Sequence, residues 1–400
     1  MRHCRSACCS SRAERRAAIG QRPMAFGRHR QSAGTVCVRP QPQARDPPGG
    51  AEPAPSERLR AHEWLAKAIG LASPVAGRAA DLGVPMTLSG FLSQLMEVVI
   101  AIALAPLLTG WVNQWRAWLQ NRSAPRLWQP YWMLHKLFNK ESVVAEHASP
   151  LFRSAPYVMF GCMVLACAIV PTLSTDLPLA PAADAIALVG LFALARVFMS
   201  LAAMDIGTAF GTMGARREML IGFLAEPALL MVLFSASLIS KSTSLTTIVE
   251  TLAHRELAIY PELAFAGVAF TMVSLAENAR VPVDNPATHL ELTMIHEALI
   301  LEYSGRHLAL IEWAASLKLF AYSCIGLALF FPWGVAETEA PLAMLLALPL
   351  LVLKLAIGGF LLAALETLSA KMRIFRVPEF LATAFLLAVI GLLVHLLLRR

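Results

Sequence analysis

Leu275–Gly305 reads LAENARVPVDNPATHLELTMIHEALILEYSG and places five acids, Glu277, Asp284, Glu291, Glu297 and Glu302, within 31 residues. Arg280 is the only Lys or Arg before Gly305 in that stretch. Apolar runs adjoin it at about 260–277 and 307–332, and roughly 20 such residues suffice for a helix to cross a bilayer. The fold depends on whether these acids sit in a solvated loop or fold back between two membrane spans. Asn285 suits an N-cap, Pro286 the first helical position and Gly305 the place just past a helix end. The spacing therefore predicts a helix over about 286–304. On it Glu291 and Glu302 are eleven residues apart, about three turns, and share a face. Asp284 stands just before the start, where negative charge is favoured. Apolar residues interleave throughout, which favours a re-entrant helix whose crowded carboxylates exchange protons.

The rest of the chain supports that setting. Of 400 residues 57% are hydrophobic and 15% charged, against about a quarter charged in soluble domains. The apolar runs do not alternate, which excludes a barrel, and helices are the other structure that spans lipid. Eight spans are expected, at about 88–110, 156–175, 183–205, 219–240, 260–277, 307–332, 342–365 and 378–398. The fold class is an all-α polytopic membrane helix bundle of about eight transmembrane helices. A basic segment, disordered by composition, precedes it.

Charge gives the orientation. Short loops after odd-numbered spans hold thirteen Lys and Arg, against Lys241 and Arg255 in the others, so the former face the cytoplasm. These loops fall at about 111–155, 206–218, 278–306 and 366–377. Both ends of the bundle then face outward. The net charge of +7 resides in residues 1–85, which carry 14 Lys and Arg against 6 acids. It is therefore no sign of nucleic-acid binding by the folded part. Translocating so basic a segment conflicts with the orientation, so 1–85 is expected to be an upstream extension before a start at Met86, or else a cleaved or disordered leader. Residues 86–400 form the membrane domain.

Several charges lie inside spans: Glu97, Arg196, Glu226, Lys318 and Lys354. Charges in lipid are costly and face the bundle interior with a partner, so they read either as structural pairs or as a proton relay. Glu226 precedes Pro227, which frees a backbone carbonyl nearby. His289 and His296, seven apart, either join the path or pack as polar residues. HEALI (His296–Ile300) fails the HExxH zinc pattern at Ile300. GTAFGTMGARREM (Gly207–Met219) matches no phosphate loop and reads as a tight cytoplasmic turn. No CxxC pair occurs among the seven cysteines, so no zinc or iron–sulfur site is expected. QPYWMLHKLFNKE (Gln129–Glu141) has the pattern of an amphipathic helix at the interface, or equally of a docking surface.

Together these motifs resemble the membrane subunit shared by respiratory complex I, as its subunit 1, and the membrane-bound [NiFe] hydrogenases. DNPATHLELTMIHEA, ILEYSG, QPYWMLHKLFNKE, FALARVFMSLAAMDIGTAFGTMGARREM, LAEPALL and AKMRIFRVPEFL resemble the hydrogenase-4 and formate hydrogenlyase branch in particular. Ala287 and His289 stand where complex I usually has further acids, and three additional residues precede Glu302-Tyr303-Ser304-Gly305; both favour hydrogenase over quinone chemistry.

The resemblance implies a non-catalytic subunit of the bacterial inner membrane that binds no cofactor itself. Its expected partners are soluble hydrogenase-like large and small subunits and iron–sulfur subunits, carrying iron–sulfur clusters and a [NiFe] centre, with antiporter-like membrane subunits beside it. It implies a proton or sodium coupling path through Glu226, Glu277, Arg280, Asp284, Glu291, Glu297 and Glu302, with Arg196 and Asp205. Docking is expected at Gln129, Pro130, Lys136, Lys140, Glu141, Arg216, Arg217, Lys371, Arg373 and Arg376. The alternatives are a quinone-site subunit of an NADH:quinone oxidoreductase and a free-standing secondary transporter.

Overall fold

In the computed structural model the described residues are 88–145, 148–174, 179, 183–254, 261–284, 295–335 and 341–398. Contacts divide the chain into two units, Met1–Ala80 and Asp81–Arg400. All described residues belong to the second, so the expectations for 1–85 lie outside them.

The helices in chain order are α1 (Leu88–Leu119), α2 (Gln129–Phe138), α3 (Pro150–Ile169), α4 (Ala185–Asp205), α5 (Ala209–Ser240), α6 (Leu245–His254), α7 (Pro261–Glu277), α8 (His296–Ile300), α9 (Gly305–Phe330), α10 (Pro341–Leu368) and α11 (Val377–Leu398). Seven of them are long and apolar enough to cross a membrane. The remaining expected span, the fifth, is a helix, α7, of 17 residues, shorter than those seven. The protein is a multi-pass membrane protein.

Local chemistry sets the boundaries. Ser149 caps α3, accepting from the Leu151 amide at 3.1 Å, with Pro150 behind it. Asp184 caps α4 through the Ile186 amide at 3.3 Å. Between α5 and α6 the chain pairs with the approach to α4, Ala185 N donating to Thr243 O at 3.1 Å and Leu245 N to Ala183 O at 2.8 Å.

Small residues set the packing. Ala105, Ala155, Ala166, Ala185, Ala202, Ala225, Ala228, Ala314 and Ala384 are fully enclosed, and small side chains let membrane helices approach closely. The pairs α3–α4, α4–α5, α3–α9, α5–α11, α7–α11 and α1–α10 pack along their lengths. Exposed Leu353, Ile357 and Leu361 on α10 and Leu386, Leu393 and Leu397 on α11 form apolar outer faces.

Three expectations need correcting. The first span runs on to Leu119, nine residues past its expected end. The glycine-rich stretch is a turn only at Gly207, where φ is +74°. From Ala209 it is helix, because Gly211 and Gly214 are packing sites rather than breaks. A Cβ at Gly214 would lie 2.8 Å from Ala298 Cβ and 3.1 Å from Ile295 O, so α8 rests on that glycine. The expected helix over 286–304 is described only from Ile295, and there it is short: α8 ends at Ile300 and Leu301–Glu302 turn away. Gly305 opens α9 instead of closing a helix, its φ of +53° placed against Glu141 O.

Candidate functional site: an ion cluster beneath the loops between spans

Glu218, Gly222 and Glu226 recur every four residues on α5 and share one face. Arg196 reaches that face from α4. Gly222 makes room for it, since a Cβ there would lie 2.7 Å from Arg196 Cδ and 3.0 Å from Cζ. The guanidinium then meets three carboxylates: Nε faces Glu218 at 3.4 Å, Nη1 donates to Glu226 at 2.6 Å and Nη2 donates to Glu277 on α7. Lys318, from α9, donates to the same Glu277 at 2.9 Å. Tyr322, one turn further along α9 and fully buried, lies beside Glu277 and Arg196. The Arg196 side chain is 5% exposed and that of Glu277 1%. Two cations thus face three carboxylates in the interior of a membrane bundle.

A second junction lies towards the loops. Glu366 on α10, with a side chain 1% exposed, takes Arg280 at 3.1 Å on one oxygen and Arg116 of α1 at 3.3 Å on the other. Asp284 is buried, accepts from the Ile295 and His296 amides at 3.3 Å each and faces Lys371 at 3.7 Å. It ties the segment before α8 to the α10–α11 connection.

A cavity of about 320 Å³ joins the two, lined by Arg196, Glu277, Lys318, Arg116, Arg280 and Glu297 among others. A neighbouring cavity of about 410 Å³ lies between α1 and α2, and Thr109, Asn113, Arg116, Glu312 and Ser316 line both. The two cavities, with mixed polar and apolar walls, thus extend from the loops to Arg196.

Arg196, Glu226 and Glu277 come together as one cluster. Arg280 and Asp284 lie in the adjoining junctions, and Glu297 lines the cavity. Asp205 is elsewhere: exposed, it accepts from the Ser149 amide at 3.0 Å and holds the approach to α3. Glu302 is exposed on the turn after α8. Glu291, with Ala287 and His289, lies outside the described residues. Glu218, Lys318 and Glu366 were not among the expected path residues. Glu218 was legible from its spacing to Glu226, and Lys318 as a cation inside a span. Glu366 had no local signal, because its partners are 86 and 250 residues away.

Outside the spans, burial, aided by Asp205, pushes the Tyr303 phenol well above its ordinary value. The ring stacks on Phe152 at 4.0 Å and its hydroxyl donates to Phe152 O at 3.1 Å. Lys136, Lys140, Glu141, Arg216, Arg373 and Arg376 are exposed, and Arg217 and Lys371 are half-buried. Gln129 and Pro130 line the α1–α2 cavity. On α2, Leu134 is buried while Trp132 is 74% exposed, so only part of its apolar set turns to the bundle. Among the described residues, no group of three or more His, Cys, Asp or Glu is arranged to hold a metal ion.

The family model described as NADH dehydrogenase matches residues 93–397. The chain is 33% identical over 285 residues to formate hydrogenlyase subunit 4 of Escherichia coli (strain K12), covering 71% of this chain and 92% of that one. It is 32% identical over 300 residues to hydrogenase-4 component C of the same organism, covering 74% and 93%. A solved archaeal respiratory membrane complex, the membrane-bound sulfane sulfur reductase, contains a chain of the same fold. It aligns with a TM-score of 0.65 at 19% identity, over 76% of this chain and 99% of that one. Matched by the family along nearly all its spans and by relatives along most of theirs, the chain belongs to the NADH dehydrogenase family, the subunit 1 family of complex I.

Proposed function

We propose that the chain is the ion-coupling and docking membrane subunit of a hydrogenase-4-like or formate hydrogenlyase-like complex in the bacterial inner membrane. It links soluble [NiFe] and iron–sulfur modules to proton or sodium translocation through antiporter-like partners. The observation that carries this is the Arg196 cluster: Arg196 and Glu277 enclosed, Glu218, Glu226 and Lys318 half-buried, two cations against three carboxylates, and connected by a cavity to the loops. A transferable proton neutralises such a surplus, because an uncompensated charge in a membrane interior is costly. A soluble module that shifts Arg280 or Asp284 changes the field at Glu277. Redox and metal chemistry stay with the partners; this chain's residues hold and pass the charge.

The test is Glu277→Gln and Lys318→Met in native membranes. Both variants are expected to co-purify with a [NiFe] large subunit while ion translocation falls at least ten-fold. Undiminished translocation in both refutes the coupling role, and a chain that purifies alone favours the transporter reading. The adjoining cavities, whose volumes suit a cyclic headgroup with an apolar tail, favour a quinone-site subunit as the second reading. Recovery of a quinone-linked NADH module instead of a [NiFe] subunit would select it.

A further inference from the structure

Another buried acid lies away from this cluster and takes no part in it. Glu97 on α1 is fully enclosed. Its Oε1 accepts from the Thr172 amide at 2.9 Å, from the Leu173 amide at 3.2 Å and from the Thr172 hydroxyl. Its Oε2 is buried and has no hydrogen-bond partner among the described residues. Nor is any Lys, Arg or His of those residues in ion-pair contact with it. The groups facing it are Cys167 from α3 and Cys324 from α9. Beyond Thr172 and Cys324 lies a void of about 20 Å³, bounded on its far side by Lys354 of α10, enough for about one water. The Lys354 ammonium is spent on carbonyls, donating to Phe331 O at 2.8 Å and to Trp333 O.

The two oxygens of an ionised carboxylate are equivalent and both seek donors. A carboxylic acid has one carbonyl oxygen, which accepts, and one hydroxyl, which donates. Three donors on Oε1 by themselves favour the anion, but Glu97 is fully enclosed and its Oε2 has no donor among the described residues. An anion without a cation inside a span would also be costly. We propose that Glu97 is held as a neutral carboxylic acid and is a second proton-carrying site, on the far side of the bundle from the loop-facing cavity. Placement agrees: Thr172 lies in the α3–α4 connection and Phe331 and Trp333 follow α9, all at the end opposite the Arg196 cavity. One helix serves both sites, since α9 presents Lys318 to the first and, six residues or about 9 Å on, Cys324 to the second. This extends the coupling reading by giving the chain its own station beyond Glu277.

The experiment uses the intact complex in proteoliposomes, with Glu97→Gln measured beside Glu277→Gln. Glutamine offers the same carbonyl to Thr172 and Leu173 and carries no charge, so E97Q is expected to assemble and unfold like wild type. Its proton translocation is expected to fall ten-fold or more. Infrared difference spectra between wild type and E97Q should lose one carboxylic-acid C=O band. Failure of E97Q to assemble would show that an ionised carboxylate is needed there and would overturn the proposal. So would full translocation, or loss of a carboxylate band in place of the acid band. If E277Q is impaired and E97Q is not, only Glu97 loses its role; if neither is impaired, the coupling reading falls with it.

Discussion

Gly222→Ala tests the central cluster without touching a charged residue. The new methyl would meet Arg196 Cδ at 2.7 Å and Cζ at 3.0 Å. Arg196 lies between Glu218 and Glu226 and cannot retreat along α5 without losing one of them. Breaking a buried ion pair by removing one partner costs about 3–5 kcal/mol. Displacement costs less than removal, and alanine returns about 1 kcal/mol of helix propensity. The net expectation is a loss of about 2–3 kcal/mol. Gly161 on α3 and Gly190 on α4 are the controls, because a Cβ at either meets nothing within 4 Å. Gly161→Ala and Gly190→Ala should be neutral or stabilising by up to about 1 kcal/mol. Equilibrium unfolding of the purified protein in mild detergent gives the three values on one scale. A double-mutant cycle with Arg196→Leu then isolates the coupling, and G222A should cost little once the guanidinium is gone. If G222A is as stable as its two controls, or costs the same with and without Arg196, the proposed wedge of Arg196 between the two acids is wrong.

Other predictions separate the parts of the site. Glu366→Gln should weaken the hold on Arg116 and Arg280 together, costing about 1–2 kcal/mol with solvent screening at Arg116; Glu366→Ala tested with Arg280→Ala should show strong non-additivity. Glu302→Gln, at an exposed turn, should change stability by no more than about 0.5 kcal/mol and leave translocation intact; a defect there would return Glu302 to the path. Joint reversal of Lys140, Arg216 and Arg373 to Glu should lower co-purification of soluble partners and make it more salt-sensitive; unchanged recovery would remove these exposed bases from the docking surface.

The membrane architecture was legible because it depends on local signals. Apolar runs of the right length became helices, but the second span, expected at about 156–175, runs from Pro150 to Ile169, where Ser149 and Pro150 fix its start through chemistry within two residues. The acidic stretch misled at its C-terminal end. Gly305 carries the residue type of a helix stop, yet its left-handed conformation serves a turn into α9 packed on Glu141 O. Gly211 and Gly214 read as parts of a tight turn and are contact surfaces, Gly211 against Ala203 O and Thr208 Oγ1 and Gly214 against α8. Arg196 and Glu226 could be singled out because charge inside an apolar run needs a reason, and Glu277 because it opens the acidic stretch. What pairs with what was not legible, since partners such as Glu366 and Arg116 meet across 250 residues of chain. Nor could the sequence rank the acids by enclosure, which separates Glu277 from Glu302.

Ser304 and Val143 are joined twice, Val143 N donating to Ser304 Oγ at 2.9 Å and Ser304 Oγ donating to Val143 O at 2.7 Å. Val143 follows the exposed Lys140–Glu141 loop, and Ser304 is the last residue before α9. This clasp makes the loop and the helix start a single mechanical part. A pull of about 1.5 Å on the loop, one residue's rise, would bear first on this pair of hydrogen bonds. If it passed on as an axial slide of α9, the 2.9 Å contact of Lys318 with Glu277 would change. Force applied at the protein's surface would thus be converted into charge separation in its interior.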